Sequence, residues 1–316
     1  MSLSLQQLLN RLSFRQMQVF EAVYQQQGYR KAAESLGLTQ PAVSSQIRKL
    51  EQALGQPLFE YVGRRLYCTR AGENVAKRIK AIFEQVQHLQ SDLHMLQGQL
   101  SGDLRLSVVS TAQYAIPHLL KEFMALYPTV NVNVNIVNRA SAIELLNNNT
   151  DDLVVMGLVP SDRSLASLPF LDNELIPVMA ASNPLAHKKQ LSSQQFLNAN
   201  LLLREAGSGN RLALEQHCQQ QRLNLRSYME IGSNDAIKHA VIAGIGVAVL
   251  PKMSVISELR AGILVSPAIK GFPLRRSWCL VYPRGKHTTQ VTQAFLNYVQ
   301  DNIKQINLYF NKHFEM

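Results

Sequence analysis

The amino-acid sequence predicts an α/β protein in which a small helical domain with a β-hairpin and one long helix precede a two-lobed α/β region. Three observations predict it: short capped helices close to the N-terminus, a seven-residue apolar repeat after them, and strands that alternate with helices from residue 103 onward. A chain of 316 residues can bury more than one core. We therefore expect three parts, residues 1–69, 70–98 and 99–316.

Three short helices are predicted before residue 55. Ser13 and Gln16 have the spacing of a capping box, and the apolar pattern that follows them ends near Gly28. Residues 30–36 form a second short helix, which a glycine closes. Thr39 caps a third helix with a proline in its first turn, where proline is tolerated. The first domain is therefore predicted to be a helix-turn-helix.

A β-hairpin is predicted after the third helix. Residues 58–61 and 66–69 are β-prone, and the turn between them contains Gly63, Arg64 and Arg65. A hairpin with arginines at its tip would complete a winged helix-turn-helix.

The segment 70–98 is predicted to be a long linker helix. Its apolar residues recur at alternating spacings of four and three: Val75, Ile79, Ile82, Val86, Leu89, Leu93 and Leu96. So narrow a stripe favours a coiled-coil seam between two copies of the chain. The alternative is an ordinary amphipathic helix packed on its own core. Gly98 and Gly102 predict a linker at 98–102.

The C-terminal region is predicted to contain a parallel sheet divided between two lobes with a cleft between them. The predicted strands are 104–109, 130–136, 153–156, 175–181, 201–203, 229–231, 247–250 and 278–282, and the predicted helices are 112–126, 141–147, 209–221, 234–243 and one from residue 288. The last strand and helix are expected to return to the first lobe. Lobe I then comprises about 103–163 and 270–316, and lobe II about 164–269.

Net charge favours an anionic partner for the first domain. The chain carries a formal charge of +10, and residues 1–90 hold 12 Lys and Arg against 6 Asp and Glu. Such a field attracts phosphate backbones and anionic lipids alike. The helix-turn-helix favours double-stranded DNA, because the second helix of that motif enters the major groove.

Candidate DNA contacts follow from that geometry. The N-terminal turn of the recognition helix faces base edges, and the basic residues around it and in the wing suit phosphates or the minor groove. The candidates are Arg30, Lys31, Thr39, Gln40, Pro41, Ser44, Ser45, Arg48, Arg64 and Arg65. Taken singly, each charge is an ordinary solvated surface residue, and only the clustering favours DNA.

Three turns in the C-terminal region suit a small anionic effector. At 110–112, 207–210 and 232–234 a strand ends in a polar or glycine turn that is expected to open a helix, where free amides and a positive dipole are available. The alternative is that these residues only cap helices. The candidates are Ser110, Thr111, Ala112, Gln113, Asn138, Arg139, Gly157, Arg204, Ser208, Gly209, Asn210, Ser233 and Asn234.

Catalysis, metals and cofactors have no support in the sequence. No nucleophile elbow, pair of catalytic acids or metal-ligand spacing occurs, so no catalytic or metal-binding residues are predicted. Cys68 is expected to be a packed thiol rather than a redox centre. Residues 1–20 lack the pattern of a signal peptide and the apolar runs are short, which predicts a cytoplasmic protein without membrane contact.

The first domain resembles the LysR-type transcriptional regulators. The segments that carry the resemblance are RKAAE at 30–34, LTQPAVS at 38–44 and PLFE at 57–60. The resemblance implies a winged helix-turn-helix, a dimerising linker helix and a two-lobed effector domain like a periplasmic binding protein. It also implies a homodimer or homotetramer that bends promoter DNA, works with RNA polymerase and acts mainly as an activator.

The C-terminal region is similar to the regulators of Calvin-cycle carbon-fixation operons. The matching segments are 110–114, 151–157, 203–211 and 230–238. Those relatives respond to phosphorylated metabolites such as ribulose bisphosphate or phosphoglycolate, or to NADPH, which implies an anionic effector here. Gln113 stands where lysine is frequent among them.

Three other functions remain open from the sequence. One is a LysR-type regulator of an unrelated operon with a non-phosphorylated effector. A second is an enzyme or transport component with an accessory basic N-terminus, and a third is an architectural DNA-binding protein. Protection of two adjacent half-sites in a footprint would favour a sequence-specific regulator over the last two.

Overall fold

A computed structural model describes residues 4–96, 100–148, 151–188, 190–285 and 288–314. The chain divides into two compact units, residues 1–90 and 91–316. Gly98 of the predicted linker lies outside the described residues, and Gly102 at its other end already begins a strand.

The first unit is a helical domain with a hairpin. Its helices are α1 (Leu5–Leu9), α2 (Phe14–Gln26), α3 (Tyr29–Leu36) and α4 (Gln40–Leu54). Ser13 and Gln16 exchange the two hydrogen bonds of a capping box at the start of α2, as predicted. Gly37 ends α3 with a φ of 64°, and Thr39 Oγ1 accepts a bond from the amide of Ala42 to cap α4. The helix α1, which Ser4 caps, was not predicted.

The wing consists of β1 (Phe59–Val62) and β2 (Arg65–Cys68), which pair antiparallel. Gly63 has a φ of 64°, a conformation that suits a tight two-residue turn. Glu51 of α4 anchors the hairpin, because its Oε1 accepts bonds from the amides of Leu58 and Phe59. The predicted wing is therefore confirmed and held by the recognition helix itself.

The long helix α5 (Arg70–Leu96) follows the wing. Ile79 is buried in the core of the first unit, whereas Ile82, Val86 and Leu89 are exposed. The side chains of the last two seam positions, 93 and 96, lie outside the described residues. Three consecutive seam positions are therefore apolar and uncovered within one chain.

The second unit is built on one mixed sheet. Its strands are β3 (Gly102–Val109), β4 (Val130–Val137), β5 (Leu153–Met156), β6 (Leu165–Ala180), β7 (Leu201–Leu203), β8 (Met229–Glu230), β9 (Val247–Pro251), β10 (Leu264–Val265) and β11 (Leu274–Pro283). The order is β4-β3-β5-β11-β6-β9-β7-β8, with β10 beside β6. The helices are α6 (Ile116–Leu126), α7 (Arg139–Asn147), α8 (Ser193–Leu197), α9 (Gly209–Gln221), α10 (Asn234–Ile242), α11 (Ile256–Arg260) and α12 (Gln290–Phe314).

Two long antiparallel strands, β6 and β11, correct the prediction of a purely parallel sheet. They pair with each other over most of their length, and each also pairs antiparallel with one parallel half, β11 with β5 and β6 with β9. The prediction missed the first ten residues of β6, because partly exposed residues such as Asp172 and Pro169 interrupt the apolar pattern there. Only pairing with β11 makes that segment a strand.

The two lobes have separate cores that meet along these crossover strands. The first lobe packs α6 and α12 on β3, β5 and the fully buried Trp278, and its core includes Leu171 of β6. The second lobe begins at Leu175 of β6 and includes Leu274 of β11. The chain thus passes from one lobe to the other within the strands rather than in a loop.

Candidate functional site

The recognition helix α4 presents a polar face to solvent. Val43, Ile47 and Leu50 are buried in the core of the first unit, which fixes the rotation of the helix. The opposite face carries the exposed Gln40, Pro41, Ser45 and Arg48, while Ser44 is half-buried and Thr39 is engaged as the cap. The predicted base-reading positions thus lie on the outer face of α4.

A basic groove of about 790 Å³ separates the helices from the wing. Its walls carry Arg30, Lys31, Gln40, Arg64 and Arg65. Arg30 also pairs with Glu34 on its own helix, at 3.1 Å between Nε and Oε1. The groove thus brings together half of the residues predicted to contact DNA.

Four tyrosines in this groove were not predicted. Tyr24, Tyr29, Tyr61 and Tyr67 line it among the basic residues. Burial raises the pKa of Tyr29 to about 12. Its hydroxyl, which is protonated at neutral pH as in any tyrosine, can donate a hydrogen bond to a phosphate oxygen. Tyrosine gives no periodic signal in such short segments, which is why the pattern did not single them out.

A small cavity of about 30 Å³ lies between the two lobes of the second unit. The N-termini of α7, from the first lobe, and α9, from the second, face each other beside it. A Cβ placed on Gly209 would lie 3.7 Å from Cδ of Arg139, and one on Gly207 would lie 3.1 Å from Cβ of Ala140. Two positive helix ends therefore converge on one space.

The cavity is lined by most of the predicted effector residues and by several that were not predicted. The predicted ones are Ser110, Thr111, Asn138, Arg139, Gly157, Ser208, Gly209 and Asn210. The others are Val109, Met156, Leu158, Asn173, Leu175, Ala213 and Arg276. Two of the additions, Asn173 and Arg276, lie on the crossover strands that the sequence pattern missed or shortened.

Each of the two units matches a known protein family. Residues 14–73 match the bacterial regulatory helix-turn-helix protein, lysR family, and residues 97–304 match the LysR substrate binding domain. The chain belongs to the LysR family.

The relatives of this LysR-type transcriptional regulator confirm the predicted resemblance. It is 39% identical over 284 residues to the HTH-type transcriptional activator CmpR of Synechocystis sp., covering 90% of this chain and 93% of that one. It is 37% identical to a RuBisCO operon transcriptional regulator of Acidithiobacillus ferrooxidans, covering 90% and 92%. The regulatory domain of Synechocystis CcmR in complex with 2-PG aligns with 66% of this chain and 100% of its own length, at 35% identity and a TM-score of 0.61.

Arg204 of the regulator does not occupy the position expected of an anion ligand. Its Nε and Nη2 donate to the carboxylate of Glu205 at 2.7 and 2.9 Å, and its Nη1 donates to Ser110 Oγ at 3.1 Å. Its buried guanidinium is thus bidentately paired and bridges the two lobes. The sequence could not reveal this, because a neighbouring glutamate predicts no side-chain direction.

The first predicted anion turn also differs from expectation. Helix α6 begins at Ile116, not at residue 112, because Pro117 takes the place in a first turn that proline favours. Ala112 is fully buried in the core of the first lobe. Thr111 reaches the cavity, and its hydroxyl accepts a bond of 3.3 Å from Trp278 Nε1. This turn contributes hydroxyl groups rather than a helix end.

Gln113, Ser233 and Asn234 lie outside the lining of the cavity. Ser233 caps α10, and Asn234 Oδ1 accepts a buried bond of 3.1 Å from Asn210 Nδ2. Asn234 thus contacts Asn210, which lines the cavity, but does not line the cavity itself. The third predicted turn therefore contributes to the site only through this hydrogen bond.

Arg139 keeps its positive charge close to the cavity. Its Nε donates to the carbonyl oxygen of Leu158 at 2.8 Å, and burial lowers its pKa from the ordinary value of an arginine, which still leaves it protonated at neutral pH. Asn138 caps the same helix, because its Oδ1 accepts a hydrogen bond from the backbone amide of Ser141. The side chain and the helix end are therefore held in place together.

Neither a metal centre nor a membrane-spanning helix occurs among the described residues. Within them, no group of three or more His, Cys, Asp and Glu residues could hold a metal ion. None of the described helices is both long enough and apolar enough to cross a bilayer. Burial raises the pKa of the Cys68 thiol to about 11, which keeps it in the unreactive protonated form.

Proposed function

We propose that this LysR-type regulator controls transcription in response to a small anion bound between the lobes of its second unit. The observation that carries the proposal is the convergence of the N-termini of α7 and α9 on one cavity. Free backbone amides and aligned dipoles at such termini favour phosphate and carboxylate groups. Because the two helices belong to different lobes, an anion between them would draw the lobes together.

A phosphorylated metabolite is the effector that the relatives favour. The CcmR regulatory domain is a complex with 2-PG, and a relative is a RuBisCO operon regulator. The cavity of about 30 Å³ is far smaller than the roughly 300–1,000 Å³ of a typical ligand pocket. The lobes must therefore separate to admit a metabolite and close around it, and carbon-fixation genes are the proposed targets.

The proposed DNA interface is the outer face of α4 together with the wing. Gln40, Pro41, Ser44 and Ser45 would face base edges, while the basic residues of the groove and Arg48 would contact phosphates. Two such units would read half-sites about one turn of DNA apart. Closure of the lobes would change the spacing of the two units and so the bend of the promoter.

The proposed assembly is a homodimer through α5, and a tetramer formed from two dimers. Ile82, Val86 and Leu89 are apolar, exposed and spaced as a coiled-coil seam. Pairing the seams would bury them and bring two recognition helices onto one operator. Such a regulator would act in the cytoplasm as an activator and contact RNA polymerase there.

Calorimetric titration of the full chain tests the effector. The probes are 2-phosphoglycolate, ribulose bisphosphate, phosphoglycerate and NADPH, each against its unphosphorylated analogue. Micromolar binding of one phosphorylated probe, with binding of its analogue at least about tenfold weaker, is the expected result. Absence of binding heat with all four probes would rule out a phosphorylated effector and would leave the DNA-binding assignment intact.

A carboxylate effector is the second candidate. The helix ends and hydroxyl groups that line the cavity suit a carboxylate as well as a phosphate. The unphosphorylated analogues in the same titration decide between the two, because a carboxylate sensor would bind glycolate or glycerate as tightly as the phosphate esters. Footprinting on the DNA upstream of regulated genes tests the regulator itself, since an enzyme or an architectural protein would not protect two adjacent half-sites.

A further inference from the structure

Two polar residues on the crossover strands border the effector cavity on the side formed by the sheet. Asn173 of β6 and Arg276 of β11 are directly opposite each other in the antiparallel register. Both line the cavity. Facing residues of neighbouring strands lie about 5 Å apart, so the two side chains can act on one ligand group.

Arg276 has hydrogen-bonding capacity that the folded chain leaves unused. Its Nη1 donates to the carbonyl oxygen of Arg275 at 2.9 Å, whereas its Nε is buried without a partner. Among the described residues, no carboxylate lies within ion-pair distance of it, in contrast to Arg204, which Glu205 neutralises. A buried guanidinium donor without a partner is costly, so an anion beside it would be strongly favoured.

A titratable neighbour of Arg276 is His217. The nearby His217 is buried, and desolvation together with the charge of Arg276 lowers the pKa of His217. The imidazole Nε2 likewise has no hydrogen-bond partner. The arginine therefore lies close to a neutral ring. The two acids that line the outer groove with it, Asp172 and Glu174, interact instead with Ser277 and with Lys252 and Arg275.

Asn173 adds a second polar group. The residue is only 7% exposed, and it lines the cavity beside Arg276. Its amide group can donate to the same oxyanion as the guanidinium.

We propose that Arg276 and Asn173 are the residues that select the anionic group of the effector, with Arg276 adding a second cation to that of Arg139. This inference rests on the proposed effector cleft and names its specificity determinant. The guanidinium binds the phosphate through charge-assisted hydrogen bonds, and the amide of Asn173 completes the donor set. Because the pair joins the two strands that connect the lobes, a ligand held there contacts the hinge directly.

The test is calorimetric titration of the full chain with 2-phosphoglycolate and with glycolate. Arg276→Gln is expected to weaken 2-phosphoglycolate binding by about tenfold or more, and to reduce the preference for the phosphate ester over glycolate by a similar factor. Asn173→Ala is expected to weaken binding by about threefold to tenfold. Retained operator binding and an unchanged thermal transition show that each variant is folded.

Arg275→Gln is the matched control. This neighbouring arginine, whose side chain is 80% exposed, lines an open groove that Arg276 also borders, but not the cavity. It is expected to change the affinity by less than about twofold. Wild-type affinity and preference in Arg276→Gln would overturn the inference while leaving the effector cleft standing. Absence of 2-phosphoglycolate binding by the wild-type chain would instead remove this probe as effector and the inference with it.

Discussion

Tyr114 Oη donates a hydrogen bond of 3.0 Å to Asp235 Oδ1 across the cleft between the two lobes. Tyr114 lies in the turn after β3, and Asp235 lies in the first turn of α10. Burial raises the pKa of Tyr114 to about 12, so the hydroxyl remains a donor well into the alkaline range. With the contact of Arg204 to Ser110, this bond ties the lobes together on the side of the second unit where the effector cavity lies.

Tyr114→Phe should shift the regulator toward separated lobes. The variant loses one hydrogen bond, worth about 1 kcal/mol, while the ring still fills its place, so we expect effector affinity to fall by about fivefold. Calorimetric titration with 2-phosphoglycolate measures this. Tyr228→Phe, at an exposed tyrosine of the second lobe, is the control. Equal affinity in wild type and Tyr114→Phe would mean that the bond does not bias closure.

Arg64→Ala should weaken operator binding mainly through charge. Arg64 is exposed in the turn of the wing and lines the basic groove. Loss of one phosphate contact should lower the slope of log affinity against log salt by about 1. Fluorescence anisotropy on an operator selected from random DNA gives that slope. Lys77→Ala, an exposed basic residue of α5 with no predicted DNA contact, should leave it unchanged.

Gln40→Ala should affect sequence preference rather than salt dependence. Gln40 is exposed at the start of α4, where a side-chain amide can pair with the edge of an adenine. We expect a loss of about 1–3 kcal/mol on the selected operator and a smaller loss on unrelated DNA. A uniform loss on both DNAs would show that Gln40 only positions the helix.

Val86→Glu should break the dimer. Val86 is 46% exposed in the middle of the apolar seam, and a glutamate in each copy would place like charges in the paired interface. Analytical ultracentrifugation at micromolar concentration should register a shift toward monomers. Gln85→Glu introduces the same charge one position off the seam and should leave the mass unchanged. A dimer that persists in Val86→Glu would place the interface elsewhere.

His217 should make the second unit less stable in mild acid. Its folded-state pKa is lowered, so as the pH falls below about 6.5 the unfolded chain takes up a proton that the native chain does not, and the free energy of unfolding decreases. In His217→Gln the free energy of unfolding should decrease less between about pH 7 and 5 than in the wild type. Urea unfolding followed through Trp278, the one tryptophan of the chain, reports it. The exposed His239→Gln is the control, and parallel pH slopes in wild type and His217→Gln would refute the prediction.

Local chemistry made much of the first unit predictable. The capping box of Ser13 and Gln16, the left-handed Gly37 and the Thr39 cap depend on residues within four positions of one another. The same holds for the start of α9, where Ser208 was expected at a helix end and is found there, whereas α7 begins two residues earlier than predicted. The motifs around these residues also sufficed to identify the family.

Long-range pairing decided what the sequence left open. The first half of β6 is a strand only because β11 lies beside it, and that register alone sets Asn173 opposite Arg276. Arg204 is engaged because Glu205 and Ser110, the latter far away in sequence, converge on its guanidinium. Periodicity records which face of an element is buried, whereas the choice of partner for a charge depends on which distant strand and helix end the fold brings beside it. The sequence by itself therefore determined most of the elements, the caps of the first unit and the family. The tertiary structure decided that Arg204 is paired with Glu205, whereas Arg276 lines the cavity with no carboxylate partner among the described residues.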